Sequence, residues 1–213
     1  MHKGFVYIIM GLPGSGKGTQ SQHLSTKLGI PHISSGDLLR SAVKQNSPLG
    51  IEIKKNLDQG LFVPDDLIWS LVSHRLEEPD CSCGAIIDGF PRNLDQAHKL
   101  NDFLETLGFD YRVIFLEVSK EQIIRRISSR YICPSCHRVY KQKEDISACS
   151  VCHTALVQRS DDDPKVVEQR LEVYLESTVP VIAYYESLGK VARISAEHSE
   201  EEVFQSILQC SVV

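Results

Sequence analysis

Nine residues near the N-terminus, Gly11-Leu12-Pro13-Gly14-Ser15-Gly16-Lys17-Gly18-Thr19, restrict the fold more than any other stretch of the chain. Phe5-Val6-Tyr7-Ile8-Ile9-Met10 stands before them, an apolar, β-branched run suited to a strand buried on both faces of a parallel sheet. After them, Lys17 to Leu28 reads as a helix, with Gly29 as its stop. Strand, glycine-rich turn and helix N-terminus in that order form an anion site, because backbone N–H groups converge on phosphate oxygens and the helix dipole adds positive charge. Gly14, Ser15, Gly16, Gly18 and Thr19 supply the cradle, and Lys17 reaches the terminal phosphates as a point charge. The general phosphate-loop pattern places Ser or Thr directly after the lysine to hold Mg²⁺. Here Gly18 takes that place and Thr19 follows.

The rest of the chain alternates short apolar runs with helical stretches, which predicts one α/β domain of parallel strands carrying insertions. Ile30 to Ile33 reads as a strand. Ser47 to Gly50 reads as a turn, Ile51 to Gln59 as a helix stopped by Gly60, and Leu67 to Glu77 as a helix capped by Asp65 and Asp66. Ala85-Ile86-Ile87-Asp88 is a buried strand ending in an acid, where open α/β sheets place their ligands. Asp88 is therefore a candidate to orient Mg²⁺ through water. Gly89-Phe90-Pro91-Arg92 forms a rigid turn that aims Arg92 toward the same cleft as Lys17. Arg112 to Val118 reads as a fourth strand. Ser119 and Gln122 then make a capping box for a helix whose Arg126 and Arg130 share a face, an arrangement that repels unless an anion joins the pair.

Two pairs, Cys133-Pro134-Ser135-Cys136 and Cys149-Ser150-Val151-Cys152, are spaced as two knuckles of a tetrahedral thiolate site for structural Zn²⁺. Four thiolates could hold iron as well. A redox pair and a nucleic-acid ribbon using Arg138, Lys141 and Lys143 are the rivals; redox pairs usually occur singly at a helix start, which disfavours the first. His137 and His153 are spare. Asp163 is suited to cap, and Pro164 to begin, a long helix up to Leu188 that Pro180 should kink or split. Val191 to Ile194 is a fifth strand, and Ser199 with Glu202 caps a last helix. A net charge of −5 argues against extended contact with a nucleic-acid backbone. No apolar run reaches membrane-spanning length and no signal-peptide core precedes the first strand, so a cytoplasmic protein is expected.

The variant loop, the Asp88 to Arg92 turn, the ribbon and the Arg159 to Arg170 segment, in that order, resemble adenylate kinases of the long form with a zinc-bearing lid. The resemblance implies a P-loop fold with a five-stranded parallel sheet flanked by helices. Its core is residues 1–33, 64–128 and 163–213, its monophosphate-binding insertion 34–63, and its lid 129–162. It implies Mg²⁺-dependent transfer between ATP and AMP giving two ADP, with a UMP/CMP kinase or a non-catalytic zinc-ribbon nucleotide-binding regulator as alternatives; a monomer is expected because no element shows a large unsatisfied apolar face. By the same resemblance Ser35, Arg40 and Gly89 contact the acceptor, Val63 and Gln96 its adenine, and Arg92 its phosphate. Arg126 and Arg130 serve ATP, Arg159 and Arg170 clamp the transferring group, and Asp161 and Asp162 hold lid arginines. Replacing Lys17 by Met is expected to lower turnover by several orders of magnitude in a protein that still folds; near-normal turnover would refute the role given to Lys17.

Overall fold

The computed structural model describes residues 4–44, 47–59, 61–136, 138–141, 146–159 and 162–211. Gly60, His137, Lys143 and Asp161, each singled out from the sequence, lie outside them. In chain order the elements are β1 (Phe5–Gly11), α1 (Lys17–Leu28), β2 (His32–Ser34), α2 (Ser35–Lys44), α3 (Pro48–Asp58), α4 (Asp65–Leu76), β3 (Gly84–Asp88) and α5 (Leu94–Thr106). Then come β4 (Asp110–Glu117), α6 (Lys120–Ser128), β5 (Arg130–Ile132), β6 (Val139–Lys141), α7 (Pro164–Ser177), α8 (Val179–Ser187), β7 (Val191–Ser195) and α9 (Glu200–Ser211).

Five strands form a parallel sheet in the order β2-β3-β1-β4-β7. β1 is central, and its side chains alternate between two cores: Val6, Ile8 and Met10 pack with α2, α4, α5 and α8, whereas Tyr7 and Ile9 pack with α1 and α9. That double burial is why the strand reads as an unbroken apolar run. Because β3 and β4 flank β1 on opposite sides, its carboxyl end opens into the crevice where such sheets bind ligands. A third, smaller cluster of Ile123, Ile127, Val167 and Leu171 joins α6 to α7 beneath Leu12 of the loop. β5 and β6 pair antiparallel in a separate two-stranded sheet.

Several boundaries differ from the sequence reading for local reasons. Ser47 to Gly50 is not a free turn: the Ser47 hydroxyl accepts from Gly50 N–H at 3.1 Å, and α3 begins at Pro48. α4 starts at Asp65 and lacks a side-chain cap, because its N-cap position is Pro64; the Asp65 carboxylate instead accepts from Asn93 Nδ2 at 2.8 Å and Gln96 Nε2 at 2.7 Å. The box before α6 is half formed. Ser119 Oγ accepts from Gln122 N–H at 3.4 Å, but Ser119 N–H donates to Glu197 Oε1 at 2.6 Å. α6 ends at Ser128, so Arg130 lies on β5 and shares no helical face with Arg126. Pro180 splits rather than kinks, with α8 starting at Val179 after Thr178.

Gly84 opens β3 at φ +130, and a Cβ there would stand 2.0 Å from the Phe5 carbonyl oxygen. β1 and β3 can lie in register only because this position carries no side chain. Gly84→Ala is expected to destabilise the fold by at least about 2 kcal/mol in chemical denaturation; an unchanged midpoint would show that the strand pair absorbs the methyl group.

Candidate active site and metal centre

The loop between β1 and α1 turns on Gly16, which caps α1 at φ 100 and ψ 8 with no side-chain cap. A helix start without a cap leaves its first N–H groups for an outside acceptor. Residues Gly14 to Thr19 line a cleft of about 1570 Å³, larger than the ~300–1,000 Å³ of a site for one drug-sized ligand. Lys17 folds back over the loop, its Nζ donating to the Gly11 and Leu12 carbonyls at 2.8 and 2.9 Å. Burial pushes its ammonium down to about 8, against an opposing pull from Asp88 and with further lowering by Arg92, Arg170 and Arg130.

Asp88 closes β3 at the same end of the sheet and is buried. Its Oδ2 lies 3.6 Å from His32 Nε2 and 3.4 Å from where a Cβ on Gly18 would stand. The missing side chain after the lysine thus leaves its space to a carboxylate from the neighbouring strand. Burial raises the Asp88 pKa, but the His32 imidazole and the Lys17 ammonium outweigh it, and the carboxyl is held below its ordinary value. An ionised carboxylate there fits the second-sphere role for a hydrated Mg²⁺.

Arg92 follows the cis Phe90–Pro91 bond. Its Nε donates to the Gly89 carbonyl at 2.7 Å, its guanidinium lies 5.2 Å from the Phe62 ring centre, and its carbonyl accepts from Thr178 Oγ1 at 2.8 Å. Ser35 Oγ donates to the same Gly89 carbonyl at 2.8 Å, and Arg40 is held by Asp37 at 2.6 Å. Arg126 donates to the Ser15 and Ala196 carbonyls at 3.2 and 2.6 Å, tying α6 to the phosphate loop. Arg130 makes a two-pronged pair with Asp162, its Nε 2.9 Å from Oδ2. Arg159 and Arg170 complete the wall. Lys17, Asp88, Ser35, Gly89 and the arginines 40, 92, 126, 130, 159 and 170 therefore meet in one cleft. Val63 and Gln96 do not line it. Val63 belongs to the core, and the Gln96 side chain, accepting from Arg92 N–H and donating to Asp65, sits behind the wall.

The four cysteines fit the metal expected of them. Their Sγ atoms lie within 4.8 Å of one another, with Cys133–Cys152 at 3.2 Å, Cys136–Cys149 at 3.5 Å and Cys136–Cys152 at 3.8 Å. A tetrahedron with metal–sulfur bonds of about 2.3 Å has edges of about 3.8 Å. The Tyr140 hydroxyl, then backbone N–H groups, hold the Cys149 thiol well below its usual value, as a thiolate ligand requires. The ribbon's neck is closed by paired bonds between Ile132 and Val157, at 2.8 and 2.9 Å.

Sequence reasoning passed over Tyr174 and Thr178, which line the cleft. The signal was present in the spacing: Arg170, Tyr174 and Thr178 recur every four residues, one face of a helix continued past its break. Arg125 also lines the cleft, as do Arg138 and His32; nothing local marks His32, whose partner is 56 residues away.

Among known proteins, the family model described as Adenylate kinase matches residues 9–190. Proteins named Adenylate kinase from Chlamydia pneumoniae, Chlamydia caviae and Chlamydia felis are 52%, 58% and 56% identical to the chain. The alignments cover 99%, 96% and 99% of this chain and the same shares of those proteins.

The depressed ammonium of Lys17 has a measurable sign. Near pH 8 about half of it is neutral, a phosphate anion favours the charged form, and binding must take up about half a proton. Calorimetry of ATP binding in buffers of different ionisation heat should show that uptake, with affinity falling as pH rises through about 8. Lys17→Met should abolish it; equal uptake in the variant would place the titrating group elsewhere.

Proposed function

The chain belongs to the adenylate kinase family, and from that premise we propose how its residues carry out the reaction that membership brings, reversible transfer of the ATP γ-phosphoryl group to AMP giving two ADP. The observation that carries the assignment is the convergence on one cleft of Lys17 and arginines from α2, the β3–α5 turn, α6, β5 and α7. Transfer between two phosphates passes through a transition state with charge spread over the transferring oxygens, and it needs in-line positioning and neutralisation more than a covalent nucleophile.

In this reading Gly14, Ser15, Gly16, Gly18 and Thr19 cradle the ATP phosphates through backbone N–H groups, and Lys17 leaves its carbonyl partners for the terminal oxygens. Arg126 and Arg130 flank the donor. Ser35, Arg40, Gly89 and Arg92 take the acceptor, with Val63 and Gln96 forming the layer behind them. Arg159 and Arg170 reach the group in transfer. Bound Mg²⁺ supplies charge neutralisation at the phosphates, and Asp88 would hold its water shell. Cys133, Cys136, Cys149 and Cys152 hold a structural Zn²⁺ that staples a ribbon too small for a core of its own.

Residues 129–162 act as a lid and 34–63 as a flap over the core formed by 1–33, 64–128 and 163–213. Their closure excludes water that would otherwise take the phosphoryl group. Lys44 of the flap already donates to the Pro134 carbonyl of the lid at 3.4 Å, which supports that reading. Asp162 fixes Arg130 across the lid's base, and Asp161, outside the described residues, is given the holding of lid arginines by the family resemblance alone. The residues of one chain fill every role in this reading, which supports a monomer as the unit of function. No helix among the described residues is long and apolar enough to cross a membrane.

A coupled assay with ATP and Mg²⁺ tests the reading, comparing AMP, UMP, CMP and GMP as acceptors. ADP formation should strongly prefer AMP, and preference for a pyrimidine acceptor would move the substrate. Arg92→Ala removes a charged contact worth about 1.5–3 kcal/mol. It should raise the KM for AMP by about 10- to 100-fold with little change for ATP; an unaltered AMP response would overturn the assignment.

A further inference from the structure

The cysteine cluster has an outer layer that the metal-ligand spacing does not announce. Tyr140 stands on β6, in the first hairpin of the ribbon, opposite Tyr131. Its hydroxyl reaches across to the second knuckle. Ser150 N–H donates to Tyr140 Oη at 2.9 Å, and Ser150 Oγ and Cys149 Sγ lie 3.0 and 3.2 Å from the same oxygen. The backbone donor occupies one lone pair of the hydroxyl, which leaves a single proton to direct. A bond from that proton to a thiolate is charge-assisted, whereas one to Ser150 is neutral, so the proton belongs on Cys149 and Ser150 Oγ donates its own to Tyr140. A second hydroxyl, Thr154 Oγ1, lies 3.3 Å from Cys152 Sγ. Both ligands of the second knuckle thus have a hydroxyl neighbour. On the first, Cys133 Sγ accepts from the Cys136 backbone N–H at 3.4 Å.

We infer that Tyr140 is a positioning residue for the metal: it joins the two hairpins, fixes Cys149 for coordination and offsets part of the negative charge that four thiolates leave around a divalent ion. This rests on the reading of the four cysteines as a Zn²⁺ site. The role matters because the described ribbon buries few apolar side chains, Ile132 and the cysteines Cys133 and Cys149 among them, so its shape depends on the metal and on whatever holds the ligands ready for it. Thr154 performs the same task for Cys152 with one bond and no bridge between hairpins, and its contribution is the smaller.

The test uses full-length, zinc-loaded protein and its Tyr140→Phe and Thr154→Val variants, with zinc release to an excess of a chromogenic chelator as the readout. Tyr140→Phe should release zinc about 10-fold faster or more, and Thr154→Val should fall between it and the parent. In the cobalt-substituted proteins, the thiolate-to-metal charge-transfer band should move on losing the Tyr140 proton, a change that loosened packing alone would not produce. Release at the parent rate together with an unmoved cobalt band would overturn the role of Tyr140 while leaving the metal site intact. Failure of the parent protein to bind either zinc or cobalt would overturn the metal site itself. Should Tyr140→Phe fail to fold, unchanged release and an unmoved cobalt band in Thr154→Val would overturn the hydroxyl layer.

Discussion

An ammonium group taken out of water costs on the order of several kcal/mol unless partners replace its hydration, and Lys17 is held where that cost is only partly met. Two loop carbonyls accept from it and Asp88 faces it, yet its proton is bound less tightly than in water. The remaining deficit is what a phosphate can relieve. For the lysine to occupy that position, β1 must be central, the loop must turn at Gly16, and Asp88 must end the adjacent strand at the same height. The register of β1 with β3, in which Ile9 pairs with Asp88, supplies the last condition. The sheet is in this sense the frame for one displaced charge.

The arginines are managed by a different device. Cations gathered in one cleft repel, and here several are anchored to carbonyls or carboxylates at the rim: Arg126 to Ser15 and Ala196, Arg92 to Gly89, Arg40 to Asp37, Arg130 to Asp162. Each anchor fixes the direction of a guanidinium in advance, so less conformational freedom is lost when an anion enters. Thr178, 86 residues from Arg92 in sequence, holds that arginine's backbone by a single bond.

Much of this was legible in the sequence because its signals are local. The bounds of α1 were read from Lys17 and Gly29, the start of α7 from Asp163 and Pro164, and the ribbon from cysteine spacing, and each rests on chemistry within a few residues. Where reading stopped short, the cause was a partner distant in the chain. Asp65 looked like a helix cap and is instead held by α5; Ser119 looked like half of a local box and is instead closed by Glu197. The amide of Gln96, to which the resemblance gives a base-reading role, bridges Arg92 and Asp65 here, contacts that no local pattern announces. Long-range competition for one polar atom leaves no periodic trace. The early start of α3 was within reach, since Ser47 and Pro48 are an ordinary cap and first residue.

The neck of the ribbon has a wider meaning. Ile132 and Val157 bond to each other where the chain enters and leaves, and α6 and α7, on either side, are packed together through Ile123, Ile127, Val167 and Leu171. Through this neck the scaffold is joined to the ribbon at two adjacent chain ends, already aligned and already paid for in conformational entropy. Whatever lies beyond that junction can lengthen, shrink or change its means of holding together without the sheet registering the difference. Such a junction is a natural splice point, at which a lineage or an engineer can exchange one cover for another while the machinery beneath it is inherited whole.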